Sequence, residues 1–187
     1  MSLQYPSPPL CDDLVRLRAW ERTDLPCVAE ASLDSVIPSG TTVPSPYSEA
    51  EGLAFIERQR DRLTNGEGLA QVVAEASSDR AVGQIVLLRR QPPAGQHVAG
   101  VGYWIVESAR QHGYATHAVT LLAGWALSEA GLARLEALVE PTNVASHRLL
   151  QAVGFRREGV LRSYLGVGTD AVMYSLLRSD VADGGSP

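Results

Sequence analysis

The sequence predicts a single α/β (α+β) domain built on a mixed, mostly antiparallel central sheet. Three observations predict it. The chain has 187 residues, a length that suits one domain. Stretches of alternating apolar residues are interrupted by stretches of helical spacing, in the order β-α-α-β-β-β-α-β-α-β-β. Neither an internal repeat nor a break in composition divides the chain. Most neighbouring strands can pair antiparallel. The strands at Val98 and Leu135 are joined through a helix, so that pair should be parallel with a right-handed crossover.

The elements follow in order. Met1–Pro9 is rich in proline and serine and is expected to be loose, as is the tail Val181–Pro187, leaving a domain over 10–180. Leu14–Arg18 alternates apolar with basic residues, as a half-buried strand does. Thr23-Asp24 caps a helix from Leu25 to Leu33. Prolines, Gly40 and several hydroxyls predict a long irregular loop over Asp34–Pro46, either a substrate wall or a plain surface connection. Ser48-Glu49-Ala50-Glu51 has the form of a capping box, and the helix behind it runs to about Leu63. Ala70–Glu75 and Val82–Leu88 form a hairpin around Ser77–Arg80. Gln91–Gln96 is a longer turn, and Val98–Val106 is the third strand of the meander. A helix beginning near Tyr114 carries Ala118, Leu121, Leu122 and Trp125 on one stripe and is ended by Gly131. Leu135–Glu140 is a strand stopped by Pro141. Asn143 caps a short helix to Val153, closed by Gly154. Phe155–Leu165 and Ala171–Leu177 are the last strands.

Composition narrows the function. The chain is 45% hydrophobic and 20% charged, with a formal net charge of −5. That balance argues against nucleic acid as a partner and fits a cationic or amine-bearing substrate. Cys11 and Cys27 have no paired spacing, which suits a reducing compartment. No apolar run reaches the length of a membrane span and no signal pattern opens the chain, so a cytoplasmic protein with no membrane partner is expected. The histidines and cysteines lack metal-ligand spacing, so no metal is expected. Gly100-x-Gly102-x-x-Ile105 lacks the third glycine of a dinucleotide fingerprint, and neither a P-loop nor a nucleophile elbow occurs.

One stretch points to a ligand. Between the Val98 strand and its helix lies Arg110-Gln111-His112-Gly113-Tyr114-Ala115. Gly113 lets a ligand approach the main chain, and the helix start offers free N–H groups and the positive end of its dipole. With Arg110 these make a site for a phosphate or pyrophosphate. An ordinary strand-to-helix turn is the alternative.

Arg110-x-x-Gly113-x-Ala115 resembles the (Gln/Arg)-x-x-Gly-x-(Gly/Ala) motif of the GNAT N-acetyltransferase superfamily. Pro141–Leu150 followed by Gly154-Phe155 resembles its second signature, as found in the branch of ribosomal-protein N-terminal acetyltransferases. Leu14–Trp20 resembles that branch's opening strand, and the likeness covers roughly Leu14 to Leu177. The resemblance implies a single GNAT-like domain with helices on both faces of the sheet and a splayed parallel pair forming a cofactor cleft. It implies acetyl-CoA as co-substrate. Main-chain groups near Ile105 and Val106 would pair with the pantetheine arm. The N–H groups of Gln111, His112, Gly113, Tyr114, Ala115 and Thr116 would hold the pyrophosphate, with Arg110 and a contact from His112. Asn143 would bond or orient the pantetheine. An amine, either a protein N-terminus or a small polar molecule, would attack the thioester directly.

The sequence departs from the pattern in its acid. Many relatives place a tyrosine four residues before the Gly-Phe pair; here that position is Leu150. Some members of the branch use a serine one turn earlier, which makes Ser146 the candidate acid, close to the cofactor, and Tyr164 a second. Glu75 and Glu107 are candidate bases, and water can also serve. Two other readings stay open. One is a CoA-binding regulatory module without turnover. The other is an enzyme for a longer acyl-CoA such as succinyl-CoA, which would need Arg16, Arg18 or Arg162 to form a basic pocket. A homodimer through the last strands would cover their edges.

Overall fold

The computed structural model describes residues 3–90 and 97–182. The turn expected at 91–96 lies outside the described residues. The strands are β1 (Val15–Arg18), β2 (Gly68–Glu75), β3 (Ala81–Arg89), β4 (Val98–Ile105), β5 (Arg134–Val139), β6 (Arg156–Gly166) and β7 (Thr169–Leu177). The helices are α1 (Leu25–Leu33), α2 (Ile37–Gly40), α3 (Glu49–Thr64), α4 (Tyr114–Ser128), α5 (Val144–Val153) and α6 (Arg178–Ala182). The strands form one open sheet in the order β1-β2-β3-β4-β5-β7-β6, antiparallel throughout except for β4 and β5. The mixed sheet and its parallel pair are as the sequence predicts.

Burial follows from what covers each strand. β2 and β3 are buried along almost their whole length because both faces carry helices. Cross-strand partners share a face, so the register sorts the side chains. Leu17, Val73, Gly83 and Ile105 form one row, and Gln71, Ile85 and Tyr103 the next. α4 lies on this face, where its Tyr114 hydroxyl donates to Glu75 at 2.9 Å. The opposite face carries Trp104, whose ring centroid is 6.1 Å from that of Trp20. Trp20 in turn meets Phe55 of α3 edge-on at 5.3 Å. β6 is the exposed edge and alternates in and out only weakly.

Several elements differ from the sequence reading for local reasons. Asp24 is not a side-chain cap for α1; it is buried, and both its oxygens grip Arg18 at 2.9 Å. A 3₁₀ turn over Arg22–Asp24 leads into α1 instead. The loop after α1 contains α2, because Asp34 Oδ1 accepts from the N–H groups of Val36 (2.7 Å) and Ile37 (2.9 Å) and starts a helical turn there. α4 ends at Ser128, and Gly131 (φ +69°) makes the turn beyond it. Val181 and Ala182, read as tail, belong to α6, whose Arg178 Nε donates to the Leu127 carbonyl at 2.7 Å. Ahead of β1, Leu3 is buried, and the Tyr5 hydroxyl donates to the Ala70 carbonyl at 3.1 Å.

The approach of β3 to β4 depends on Gly83. A Cβ there would lie 2.2 Å from the Trp104 carbonyl oxygen and 3.0 Å from the Ile105 Cα. Gly83→Ala is therefore expected to destabilise the fold by about 1–3 kcal/mol through overpacking against backbone. Urea unfolding measures this, and an unchanged midpoint would contradict the close approach.

Candidate functional site

β4 and β5 share only three paired positions: Val98 with Arg134, Ala99 with Leu135, and Gly100 with Glu136. Beyond them β4 stays with β3 as far as Ile105, while β5 stays with β7 as far as Val139. The parallel pair therefore opens into a V. The closed end is braced by Arg134, which reaches Glu136 at 2.8 Å and Glu158 of β6 at 2.6 Å. Glu158 also accepts from the Ser175 hydroxyl at 2.6 Å. These two hydrogen bonds, Arg134 first, hold the Glu158 carboxyl down at about 2, while the same pairing pushes the Arg134 guanidinium up.

Which main-chain groups face the V follows from hydrogen-bond parity. The Arg90 N–H donates to the Val98 carbonyl at 3.0 Å, and the Val106 N–H donates to the Val82 carbonyl at 3.0 Å. Even-numbered residues of β4 are thus turned to β3, and odd-numbered ones, including Tyr103 and Ile105, are turned to the opening. Of the two residues expected at the pantetheine, Ile105 faces the V. The Val106 N–H is already occupied by β3, and parity points to Tyr103 as the other odd-numbered group.

The loop after β4 carries Glu107 at the start of a 3₁₀ turn, exposed to solvent. Arg110 is tied down although its side chain is 43% exposed. Its Nε donates to the Ile105 carbonyl at 3.1 Å, and its other end pairs with Asp34, a carboxylate whose side chain is only 6% exposed. Burial opposes ionisation of Asp34, yet the N–H groups of Ile37 and Val36 and the Arg110 guanidinium hold its carboxyl below the ordinary value. Glu30 of α1 accepts from the Ser108 N–H at 3.0 Å, a second tie from α1 to this loop. Gln111 (φ +66°) and Gly113 (φ +85°) turn the chain into α4. Gly113 supplies no capping side chain, so the N–H groups of Tyr114, Ala115 and Thr116 have no partner among the described residues. The His112 ring stacks on Tyr114 at 5.8 Å, and its Nδ1 lies 2.8 Å from the Arg110 carbonyl.

Glu75 is not a free base. It pairs with Arg80 at 2.8 Å and accepts from Ser78 at 2.7 Å and Tyr114 at 2.9 Å. The Arg80 bond, then that of Ser78, pulls its carboxyl to about 2, far below the range in which it would take a proton from an ammonium.

On the β5 side, Asn143 Oδ1 caps α5 by accepting from the Ser146 N–H at 3.1 Å. Leu150, four residues before Gly154, is fully buried. Ser146 lies one turn before it on the same helix face and so is turned toward the sheet. There it neighbours Tyr103, a residue the sequence reading missed. Burial pushes the Tyr103 phenol up, and the Ser146 side chain draws it part of the way back. The alternation of β4 was a signal that could have found Tyr103, since it places 101, 103 and 105 on one face. His147 is not plain surface: its Nδ1 lies 2.9 Å from the Tyr174 hydroxyl. His117 pairs with Asp12 at 2.7 Å. Tyr164 stands apart, 55% exposed, in the irregular stretch of β6 between Leu161 and Gly166. Among the described residues no group of three or more His, Cys, Asp or Glu side chains is arranged to hold a metal, and no helix is long and apolar enough to cross a membrane.

Comparison with known proteins gives consistent results. Residues 15–156 match the family model described as the acetyltransferase (GNAT) domain. The Probable N-acetyltransferase YjcK of Bacillus subtilis (strain 168) is 33% identical over 128 residues, which make up 67% of this chain and 70% of that protein. Two solved structures share the fold. Ribosomal-protein-S5-alanine acetyltransferase from Vibrio fischeri superposes with a TM-score of 0.73 at 18% identity, over 96% of this chain and 99% of that one. The microcin C7 self immunity acetyltransferase MccE, in complex with acetyl-CoA and AMP, gives 0.77 at 18% identity, over 89% and 93%.

The Glu75 cluster predicts an acid limb of stability. The Glu75 carboxyl titrates lower in the folded chain than its ordinary value of 4.5. Its contribution is therefore present above that value and is lost as pH falls toward about 2. Glu75→Gln should lower the urea midpoint at pH 7 and flatten its fall between pH 4.5 and 2. The flattening is partial, because Glu158 titrates in the same window. An unaltered slope would show that the Glu75 pairs do not persist in solution.

Proposed function

The chain belongs to the GNAT acetyltransferase family, and we propose that it transfers an acetyl group from acetyl-CoA to a primary amine, by direct attack with both substrates bound. The observation that carries this reading is the V between β4 and β5, which ends beside the free N–H groups at the start of α4. The N–H groups of Tyr114, Ala115 and Thr116, with those of Gln111, His112 and Gly113, would bind the pyrophosphate through main-chain donors and the helix dipole. The odd-numbered main-chain groups of β4, Ile105 among them, would pair with the pantetheine as an added strand would. Asn143 keeps its amide nitrogen for the same arm while its oxygen caps α5.

The chemistry needs little from the protein beyond position and proton handling. The amine nitrogen forms its bond to the thioester carbon, the C–S bond breaks, and the sulfur takes a proton from Ser146. The ammonium proton leaves to water or to Glu107. Glu75 is set aside as a base by its ion pair, and Tyr164 as an acid by its place on β6. Acceptors in this reading are protein N-termini or small polar amines, with α1, α2 and the loop between them forming one wall. A succinyl-CoA pocket finds no support in the basic residues, because Arg16 and Arg18 lie on β1 and Arg162 on β6, at opposite edges of the sheet. Arg18 is moreover committed to Asp24 and Asp79.

Calorimetric titration with acetyl-CoA, free CoA and succinyl-CoA tests the reading. Micromolar binding of acetyl-CoA, about −8 kcal/mol, is expected. Binding of no CoA species would overturn it, and a preference for succinyl-CoA would replace acetyl with a longer acyl group. Gly113→Val should weaken acetyl-CoA binding by roughly tenfold or more, because a β-branched residue is strained at positive φ and the N–H array shifts with it. Ser146→Ala should lower kcat by about 10²-fold or more with near-normal acetyl-CoA affinity. Retained binding without turnover of any amine in the wild type would instead identify a CoA-binding regulatory module.

A further inference from the structure

The corner between α1 and α2 is fastened to the loop after β4 at two points. Asp34 holds the Arg110 guanidinium, and Glu30 accepts from the Ser108 N–H at 3.0 Å. The Asp34 side chain is only 6% exposed, although Leu33 beside it is 85% exposed and Val36 63%. A carboxylate buried at an otherwise solvent-facing corner is unfavourable unless its oxygens have donors. Here Oδ2 takes Arg110, and Oδ1 takes the Val36 and Ile37 N–H groups at 2.7 and 2.9 Å. One side chain therefore carries both the cation of the loop and the first turn of α2.

The far end of this strap is at the V. Arg110 Nε donates to the Ile105 carbonyl at 3.1 Å. Ile105 is an odd-numbered residue of β4, so that carbonyl is turned to the opening and away from β3. A continuous line of contacts thus runs from the α2 amides through Asp34 and Arg110 to the mouth of the V. Directly after Arg110, Gln111 and Gly113 take the positive φ values that display the first N–H groups of α4. The other end of the line is a slight element. α2 is four residues long, and of these only Ile37 is buried. Ser39 and Thr41 donate to the Val36 and Ile37 carbonyls, bonds that stay within the segment. An element this short depends on what holds its start.

We infer that Asp34 is a positioning residue for the acetyl transfer: through Arg110 it joins α2 to the loop after β4, so that acetyl-CoA bound at the loop also orders the acceptor-side wall. The inference rests on the acetyltransferase reading above. When the loop N–H groups hold the pyrophosphate, the loop loses freedom, Arg110 is kept against Ile105, and Asp34 has its partner fixed in place. Opening α2 then requires breaking that pair, where before it could move with the loop. By linkage, the factor by which acetyl-CoA steadies α2 is the factor by which a steadied α2 tightens acetyl-CoA. Asp34 takes part in no covalent step and no proton transfer.

The Val36 and Ile37 amides report on Asp34 directly, because its Oδ1 is their acceptor. Amide hydrogen exchange at these two positions, read by NMR with and without saturating acetyl-CoA, tests the inference with no acceptor present. In the wild type, acetyl-CoA should slow exchange there by about fivefold or more. Asp34→Asn keeps an oxygen for both amides and removes the charge that holds Arg110. Arg110→Met removes the cation and leaves Asp34 as the cap. In each variant the slowing by acetyl-CoA should shrink to within about twofold, and acetyl-CoA affinity by calorimetry should fall about three- to tenfold. The double variant should bind no more weakly than either single one, because the two residues act as one pair. A merely structural Asp34 would alter exchange in the free protein and leave the difference made by the ligand in place. The variants reach the same pair from opposite ends, so either decides if the other does not fold. Unchanged exchange when the wild type binds acetyl-CoA, slowing that survives in a folded variant, or additive losses of affinity would each overturn the inference while leaving the acetyltransferase reading standing. A wild-type protein that binds no acetyl-CoA removes that reading, and the role of Asp34 with it.

Discussion

The constraint on which the molecule depends is the short shared register of β4 and β5. A parallel pair could continue to the ends of both strands, and here it stops after Gly100 and Glu136. Each strand is instead fully engaged on its other side, β4 by β3 and β5 by β7. Two stiff half-sheets thus meet at one corner, and the backbone groups left over on β4 face a gap. Closing the gap would shear one half against its own ladder. Gly83 holds β4 close to β3, and Arg134 with Glu158 and Ser175 ties β5 to β6 and β7. The opening is a property of the sheet, built before any ligand arrives.

The donors displayed beside the opening are main-chain N–H groups, and the nearby cation serves the frame. Arg110 is committed to Asp34 and to the Ile105 carbonyl. That arrangement fixes where the loop leaves β4, and the positive φ values at Gln111 and Gly113 then bring the chain into α4 with its first N–H groups displayed. Asp34 does two jobs at once. It holds Arg110 and starts α2, so the segment expected to bound the acceptor is fastened to the segment expected to bind the phosphates. Preorganised N–H groups need no rearrangement to receive an anion, which is where such a site gains its strength.

Much of this was legible in the sequence, and the misses share a cause. α1 has the bounds read for it, although not through the cap that was expected, and Asn143 and Gly154 close α5 as their residue types require. The parallel pair follows from a helix standing between two strands. What spacing could not supply was pairing across distance. Asp24 reads as a cap, but Arg18 six residues earlier claims it. Glu75 reads as a strand-end carboxylate, yet Arg80 and the distant Tyr114 converge on it. α2 was read as loop because Asp34 initiates it through its own side chain rather than through an apolar period. Tyr103 was passed over because its neighbour Ser146 lies on another element entirely.

The position four residues before Gly154 shows how one residue changes what its helix offers the cleft. A tyrosine four residues before Gly154 would carry its hydroxyl at the end of a rigid ring. In this chain the position is Leu150, packed into the core, and the nearest hydroxyl on that helix face belongs to Ser146. A serine side chain is short, and its proton turns freely about the Cβ–O bond, so by itself it has no fixed aim.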